Sequence, residues 1–247
     1  MISVTVLAKN SEKVLAATLQ SLTHFPEVLL FDTGSTDKTL EIGSAFPNVR
    51  LIQEPFQGFG KTHNRASALA KYDWILSIDS DEVLSKELSQ EILALTLDQA
   101  TVYSLDRHNY FQGKHIQCCA GWHPDRIVRL YHRKKTHFSE DPVHEKIIVE
   151  PLQITPLTHP LIHTPYRSID DFLHKMQLYS TLFAEKKKGQ INSSLSKAIA
   201  HGLSAFFKSY ILKRGFLGGR QGFIISLYNG HTAYYKYLKL AFPNSAP

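Results

Sequence analysis

Trp74-Ile75-Leu76-Ser77-Ile78-Asp79-Ser80-Asp81-Glu82 is the stretch that decides the fold. A short apolar run stops abruptly in acidic residues, as a buried strand does where it leaves a sheet. A second run does the same: Val28 to Phe31 leads into Asp32-Thr33-Gly34-Ser35-Thr36-Asp37. Two more strand-like runs, Ile2 to Leu7 and Val49 to Ile52, bracket the second. Helical periodicity fills the intervals. Ser11 can cap a helix carrying Val14, Leu15, Thr18, Leu19 and Leu22 on one face, and further helices are predicted from about Thr36 to Ala45 and Lys61 to Lys71. Ser85 caps a fourth, running to about Leu97. This β-α-β-α-β-α-β order predicts an α/β fold, a parallel sheet with helices on both faces. Such sheets bind ligands beyond the carboxyl ends of their strands, where both acidic motifs fall.

Beyond residue 100 the pattern changes. Thr101 to Leu105 is strand-like, Gln112-Gly113 can turn a hairpin, and Arg126 to Tyr131 and Lys146 to Val149 alternate as strands. From Arg167 the chain reads as helical. One apolar stripe joins Ile169, Phe172, Leu173, Met176, Tyr179, Leu182 and Phe183, and a second joins Leu195, Ile199, Leu203, Phe206, Phe207 and Tyr210. The expected organisation is a domain over 1–165, with 1–105 and 106–165 as its two parts, followed by a basic, aromatic helical region over 166–247.

Bulk properties narrow the class. The 247 residues are 43% hydrophobic and 20% charged, which suits a folded chain with a substantial core. No run approaches the roughly 18 apolar residues of a membrane span. The N-terminus reads as a strand rather than a signal peptide. Cys118 and Cys119 are adjacent and have no zinc-binding spacing, so they read as reduced thiols of a cytoplasmic protein. Residues 1–165 carry a net charge of −3 and residues 166–247 a net charge of +9. That asymmetry points the C-terminal part at something anionic, lipid or nucleic acid.

Asp79-x-Asp81 carries the sharpest chemistry. Hard divalent cations want carboxylate oxygens, and such a cation can neutralise a diphosphate as it leaves a sugar. The plainer reading is an acidic helix start, with Asp81 and Glu82 facing the helix dipole. Asp32 can accept from the N3–H of a uracil, with Gly34 permitting a tight turn beside it. Ser35 and Thr36 then read as helix caps.

These motifs, with Val6-Leu7-Ala8-Lys9-Asn10-Ser11-Glu12, Gly58-Phe59-Gly60 and His63-Asn64-Arg65, resemble the family 2 glycosyltransferases of the GT-A fold. The segments Trp122 to Leu130, Val143-His144-Glu145, His163-Thr164-Pro165-Tyr166 and Tyr210 to Gly219 are similar to bacterial lipopolysaccharide core glucosyltransferases of the β-1,4 type. The usual Asn-Glu pair is interrupted here by Ser11. The resemblance implies a Rossmann-like, parallel or mixed nucleotide-binding sheet with a C-terminal helical extension. It makes Asp32 the base reader and Ala8, Asn10 and Glu12 parts of the loop beneath the nucleotide. Arg65 would approach the nucleotide or its phosphates. Asp79 would meet ribose or metal, and Asp81 would ligate Mg2+ or Mn2+.

An inverting transfer also needs a base for the acceptor hydroxyl. Glu145 is the first candidate and Asp125 the second. Arg126 and Arg129 lie three apart on a strand and so face opposite sides, and Arg129 is the one expected at the site. His163 is a candidate for the metal or the diphosphate. The expected activity is transfer of a hexose, glucose above all, from a UDP-sugar to a lipid-linked saccharide such as the lipopolysaccharide inner core. The enzyme would work as a peripheral protein at the inner face of the cytoplasmic membrane, with the basic, aromatic C-terminal region on anionic lipid. Other donors (galactose, an N-acetylhexosamine) or a polyprenyl or protein acceptor are alternatives within the class. A catalytically silent nucleotide-sugar-binding or scaffold protein is an alternative outside it. A nucleic-acid partner is not expected, since no binding motif accompanies the basic charge.

Overall fold

The computed structural model describes residues 1–140 and 145–243. The chain forms two compact units, and both are discontinuous. Met1–Arg107 and Arg126–His163 make the first; His108–Asp125 and the chain from Thr164 make the second.

The first unit is built on the predicted parallel strands. β1 (Ile2–Ala8) lies between β2 (Glu27–Asp32) and β4 (Trp74–Asp79), and β3 (Val49–Gln53) pairs with the outer side of β2. All of β2 and nearly all of β4 are buried, because helices cover both faces and no side of the strand meets water. α1 (Leu15–Ser21), α2 (Thr39–Ser44), α3 (Phe59–Leu69) and α4 (Lys86–Ala94) are those helices. Val4, Val6, Leu15, Leu19, Leu30, Leu76, Ile78 and Leu88 fill one core, and Leu29, Phe31 and Ala66 a smaller one.

The sheet then turns antiparallel. Its order is β3-β2-β1-β4-β8-β6-β9-β5, with β5 (Glu82–Leu84), β6 (Thr101–Phe111), β8 (Arg126–His132) and β9 (Gln153–Tyr166) completing it. Two readings from the sequence are corrected here. Lys146 to Val149 is not a strand and keeps only a bridge between Phe138 and Ile147. The acidic helix start also fails: α4 begins at Lys86, capped by Ser85, whose Oγ accepts from Leu88 N–H at 3.1 Å, while Glu82 opens β5. β9 is an addition that periodicity did not announce.

In the second unit, the end of β6 pairs with β7 (Lys114–His115) through the predicted Gln112-Gly113 turn, Tyr110 opposite His115. Both turn residues have positive φ, 50° and 75°, as a tight hairpin demands. α5 (Ile169–Lys187) starts at a capping box of Ser168 and Asp171. α6 (Leu195–Phe207) continues into a π-turn at Lys208–Leu212, and a 3-10 turn at Gly215–Gly218 leads into α7 (Gly219–Ala241). α6 and α7 approach closely at two glycines: a Cβ on Gly202 would stand 3.2 Å from the Gly230 carbonyl oxygen. Phe111, Ile116, Cys118, Cys119, Trp122, Phe172 and Ile225 form the core. Tyr166 stacks on Phe172 with ring centroids 4.1 Å apart. Both cysteines are free thiols and buried.

The two predicted apolar stripes contribute little to this core. On α5 only Phe172 and Ser180 are buried, while Ile169, Leu173, Tyr179 and Leu182 are exposed, as are Leu195, Ile199, Leu203 and Phe207 on α6. Among the described residues no helix is long and apolar enough to cross a membrane.

Candidate active site

Three loops at the carboxyl ends of β1, β2 and β4 are tied together. Asn10 donates its N–H to Ser35 Oγ (2.8 Å), and its Oδ1 accepts from Thr36 N–H (2.8 Å). Its φ of 51° is a left-handed value that asparagine tolerates. Glu12 Oε2 accepts from Lys38 N–H (3.2 Å), and Glu12 N–H donates to Asp37 Oδ2 (3.1 Å). Between them, Ser11 N–H donates to Thr39 Oγ1 (2.7 Å), and Ser11 Oγ shares a hydrogen bond with Ser80 Oγ (2.8 Å). Thr18 Oγ1 donates to the Ser80 carbonyl oxygen (2.8 Å). The intervening Ser11 therefore has a position of its own, as the link from the first loop to both acidic motifs. Ala8, buried at the end of β1, lies opposite Asp32 in the sheet.

Asp32 itself is fully buried. Its Oδ2 accepts from the N–H groups of Gly34 and Ser35, both at 3.0 Å, and its Oδ1 from Ser35 Oγ. These bonds hold the turn. Among the described residues Oδ1 accepts only from the Ser35 hydroxyl, so the carboxylate keeps acceptor capacity for a base N–H. Arg65, on α3, is held at the same edge by Glu54, with Nη2 2.8 Å and Nε 2.9 Å from the two carboxylate oxygens. Glu54 follows β3 and donates its own N–H to the Asp32 carbonyl oxygen (3.2 Å).

Beyond β4 the carboxylates meet arginines. Arg129, buried on β8, places Nη2 2.5 Å from Asp79 Oδ2 and 3.2 Å from Glu82 Oε1. The strand alternation leaves Arg126 exposed. Arg107, on β6, reaches Glu82 Oε1 at 3.0 Å and Asp79 Oδ2 at 4.0 Å. Glu82 has no exposed surface, and its second oxygen accepts from Asp79 N–H (2.9 Å). Removing one partner of the buried Arg129–Glu82 pair costs about 3–5 kcal/mol, because the other charge is left uncompensated. Burial pushes the Asp79 carboxyl up, but Arg129, with His63 and Arg107, outweighs it and holds the group at about 2. Burial and Arg129 together lower His63 to about 4 against the pull of Asp79, so its imidazole is neutral. That ring lies on Phe138, centroids 4.3 Å apart, with Nδ1 3.2 Å from Ser77 Oγ.

His163 joins this edge through sheet register. It pairs with Glu82 across β5 and β9, and its Nε2 stands 3.6 Å from Asp81 Oδ2. Asp81 keeps 29% of its side chain exposed. An oxygen and a nitrogen donor at that separation, one partly open to solvent, suit two neighbouring positions of a hard cation. No group of three or more metal-ligating side chains exists among the described residues. A Mg2+- or Mn2+-type site keeps one or two protein ligands and leaves the remaining positions to water and substrate phosphate. Asp79 gives Oδ2 to Arg129 and keeps 36% of its side chain exposed, so it stays a candidate beside the Asp81–His163 pair.

The acceptor-side candidates lie apart in the chain. Val143 and His144 fall outside the described residues. Glu145 is half-buried and precedes Lys146, whose carbonyl oxygen accepts from Ser139 N–H (2.8 Å). Asp125 belongs to the second unit, where its Oδ2 accepts from Asn109 Nδ2 (2.9 Å). Glu82, Arg107 and His63 carry no catalytic or binding role in the sequence reading. Glu82 sat unassigned inside the acidic motif, whereas Arg107 has no local signal at all.

Residues 3–144, more than half of the chain and including both acidic motifs, match the family model described as Glycosyl transferase family 2. The chain belongs to that family. The glycosyltransferase is 28% identical to an uncharacterized glycosyltransferase of Rickettsia bellii over 97% of this chain and 85% of that one. It is also 28% identical to the lipopolysaccharide core biosynthesis glycosyltransferase LpsC of Rhizobium meliloti, over 75% of this chain and 71% of the relative. Among solved structures, the mannosyltransferase PcManGT of Pyrobaculum calidifontis, in complex with GDP-Man and Mn2+, superimposes with a TM-score of 0.56. It is 12% identical, and the match covers 99% of this chain and 88% of that one. The likeness is one of fold: a GT-A glycosyltransferase with C-terminal helices.

Proposed function

We propose that this glycosyltransferase moves a hexose, glucose in the first instance, from a UDP-sugar to a lipid-linked saccharide of the lipopolysaccharide core, with inversion at the anomeric carbon. One observation carries the reading: Asp81 and His163 come within 3.6 Å of each other at the edge where the Asp32 turn and the 8–12 loop converge. The family supports the reaction class, and the relationship to LpsC favours a lipopolysaccharide acceptor. The nucleoside would rest on the 8–12 loop and the Asp32 turn, with Arg65 toward its phosphates. Asp81 and His163 would hold Mg2+ or Mn2+, which when bound offsets the charge of the departing diphosphate.

The remaining chemistry belongs to the chain's own groups. Arg129 and Arg107 fix Asp79 and Glu82, so the carboxylates do not reorganise as charge develops. Glu145 would take the proton of the acceptor hydroxyl as that oxygen attacks, in one displacement without a covalent enzyme intermediate. The enzyme would lie at the inner face of the cytoplasmic membrane, with the exposed apolar residues of α5 and α6 and the +9 charge of residues 166–247 toward anionic lipid.

The deciding experiment follows UDP release with UDP-glucose, Mn2+ and a core-truncated lipopolysaccharide. Asp81→Asn and His163→Ala should each lower turnover about 100-fold or more, partly restored by raising the metal concentration. Glu145→Gln should abolish turnover while UDP binding persists. Unchanged turnover in Asp81→Asn removes the metal reading. Full activity of Glu145→Gln returns the base to Asp125, and UDP binding with no turnover for any donor or acceptor leaves the silent binder.

A further inference from the structure

The second unit holds a cavity of about 500 Å³ that none of the chemistry above uses. Its walls come from β7 and the loop after it, from the end of the π-turn, and from the 3-10 turn. Three permanent cations line it, Lys114, Lys213 and Arg214, together with His123. No described carboxylate does. Its framework is fixed by hydrogen bonds. Lys114 Nζ donates to the Gly218 carbonyl oxygen (2.9 Å), Cys119 N–H to that of Lys213 (3.0 Å), and Leu217 N–H to that of Arg214 (2.9 Å).

The same cavity has an apolar rim. Leu212 and Leu217 line it yet remain 65% and 66% exposed, and Phe216, in the 3-10 turn, is 48% exposed. Lys114, Lys213 and Arg214 are exposed around this hollow; cations gathered so select an anion, and phosphate-bearing groups fit this volume. Exposed leucines at its mouth select a hydrocarbon attached to that anion. The two requirements meet in one ligand chemistry. We infer that this cavity receives the phosphate head group of an anionic membrane lipid, with Leu212 and Leu217 entering the acyl boundary. The inference deepens the reading of a membrane-borne acceptor and rests on it: it names the part of the C-terminal unit that would contact the bilayer.

The test is sedimentation of the full chain with phosphatidylcholine vesicles, with and without about 30 mol% phosphatidylglycerol. Lys213→Ser with Arg214→Asn should weaken association with the anionic vesicles about 25-fold, since each cation near such a surface adds about fivefold. Asparagine is chosen because Arg214 has a φ of 54°. Leu217→Asp should weaken association comparably. Lys186→Ser with Lys188→Ser removes the same charge from the exposed end of α5 and should cost clearly less. Equal losses from the two double variants would mean diffuse charge and overturn the inference. Displacement from vesicles by millimolar inorganic phosphate would overturn it too, marking a soluble-anion site. If the unaltered protein ignores anionic vesicles, the membrane reading falls as well. If it binds them and all variants bind equally, only the cavity is wrong.

Discussion

His63 lies deep in the first unit, stacked on Phe138 and next to Ser77, and its burial, with the field of Arg129 added, keeps its ring neutral. In the unfolded chain the same ring titrates near 6.5. The folded value is depressed, so between about 4 and 6.5 the unfolded state binds the extra proton and stability falls as pH falls. At about 1.4 kcal/mol per pH unit, the loss approaches roughly 3 kcal/mol by pH 4. Thermal unfolding should register it. The stability gap between the native protein and His63→Gln should narrow steadily from pH 7 to pH 4.5, and a constant gap would show that His63 does not titrate on unfolding. The neighbouring Asp79 acts at lower pH. Its carboxyl is held at about 2, so its contribution is complete above about 4 and disappears only in stronger acid.

Elements differed in how legible they were. β1, β2 and β4 could be read because each is a short apolar run whose burial on both faces leaves no competing pattern, and the edge strand β3 by its short run of Val49, Leu51 and Ile52. β9 could not. It carries Pro156, Pro160 and Pro165, residues that argue against a strand, and its pairing with β5 depends on long-range register. The site inherits that divide. Asp79 and Asp81 were visible at the end of β4, but the arginines that clamp Asp79 and Glu82 come from β6 and β8, and His163 reaches Asp81 only through β9. The helical stripes show the converse. Periodicity identified the apolar faces of α5 and α6, but it says nothing about whether protein covers them. At the start of α7, a Cβ on Gly222 would fall 1.9 Å from the Gly215 carbonyl oxygen. Gly222→Ala should therefore push the 3-10 turn away and cost about 1–3 kcal/mol, measurable as a lowered urea midpoint. A neutral substitution would mean that the turn and α7 are not packed as described.

At the scale of the molecule, the division at 165 expected from composition meets a chain whose second unit is assembled from two separated stretches. Residues 108–125 leave the first unit and pack Phe111, Ile116 and Trp122 against Phe172 and Ile225. Asn229 Nδ2 donates to the Ala120 carbonyl oxygen (3.0 Å), and Ser209 Oγ accepts from Ala120 N–H (3.3 Å). A chain ending at residue 165 should leave Trp122 in water, seen as a red-shifted fluorescence and early proteolysis between 108 and 125. Protection of that segment would show that it folds without α5 and α7. The same discontinuity constrains inheritance. A single crossover between two such genes near codon 165 would join one parent's 108–125 to the other parent's helices and mismatch that core. Exchange of the C-terminal unit as a working whole needs both stretches to travel together, so substitutions in them should accumulate as a linked set.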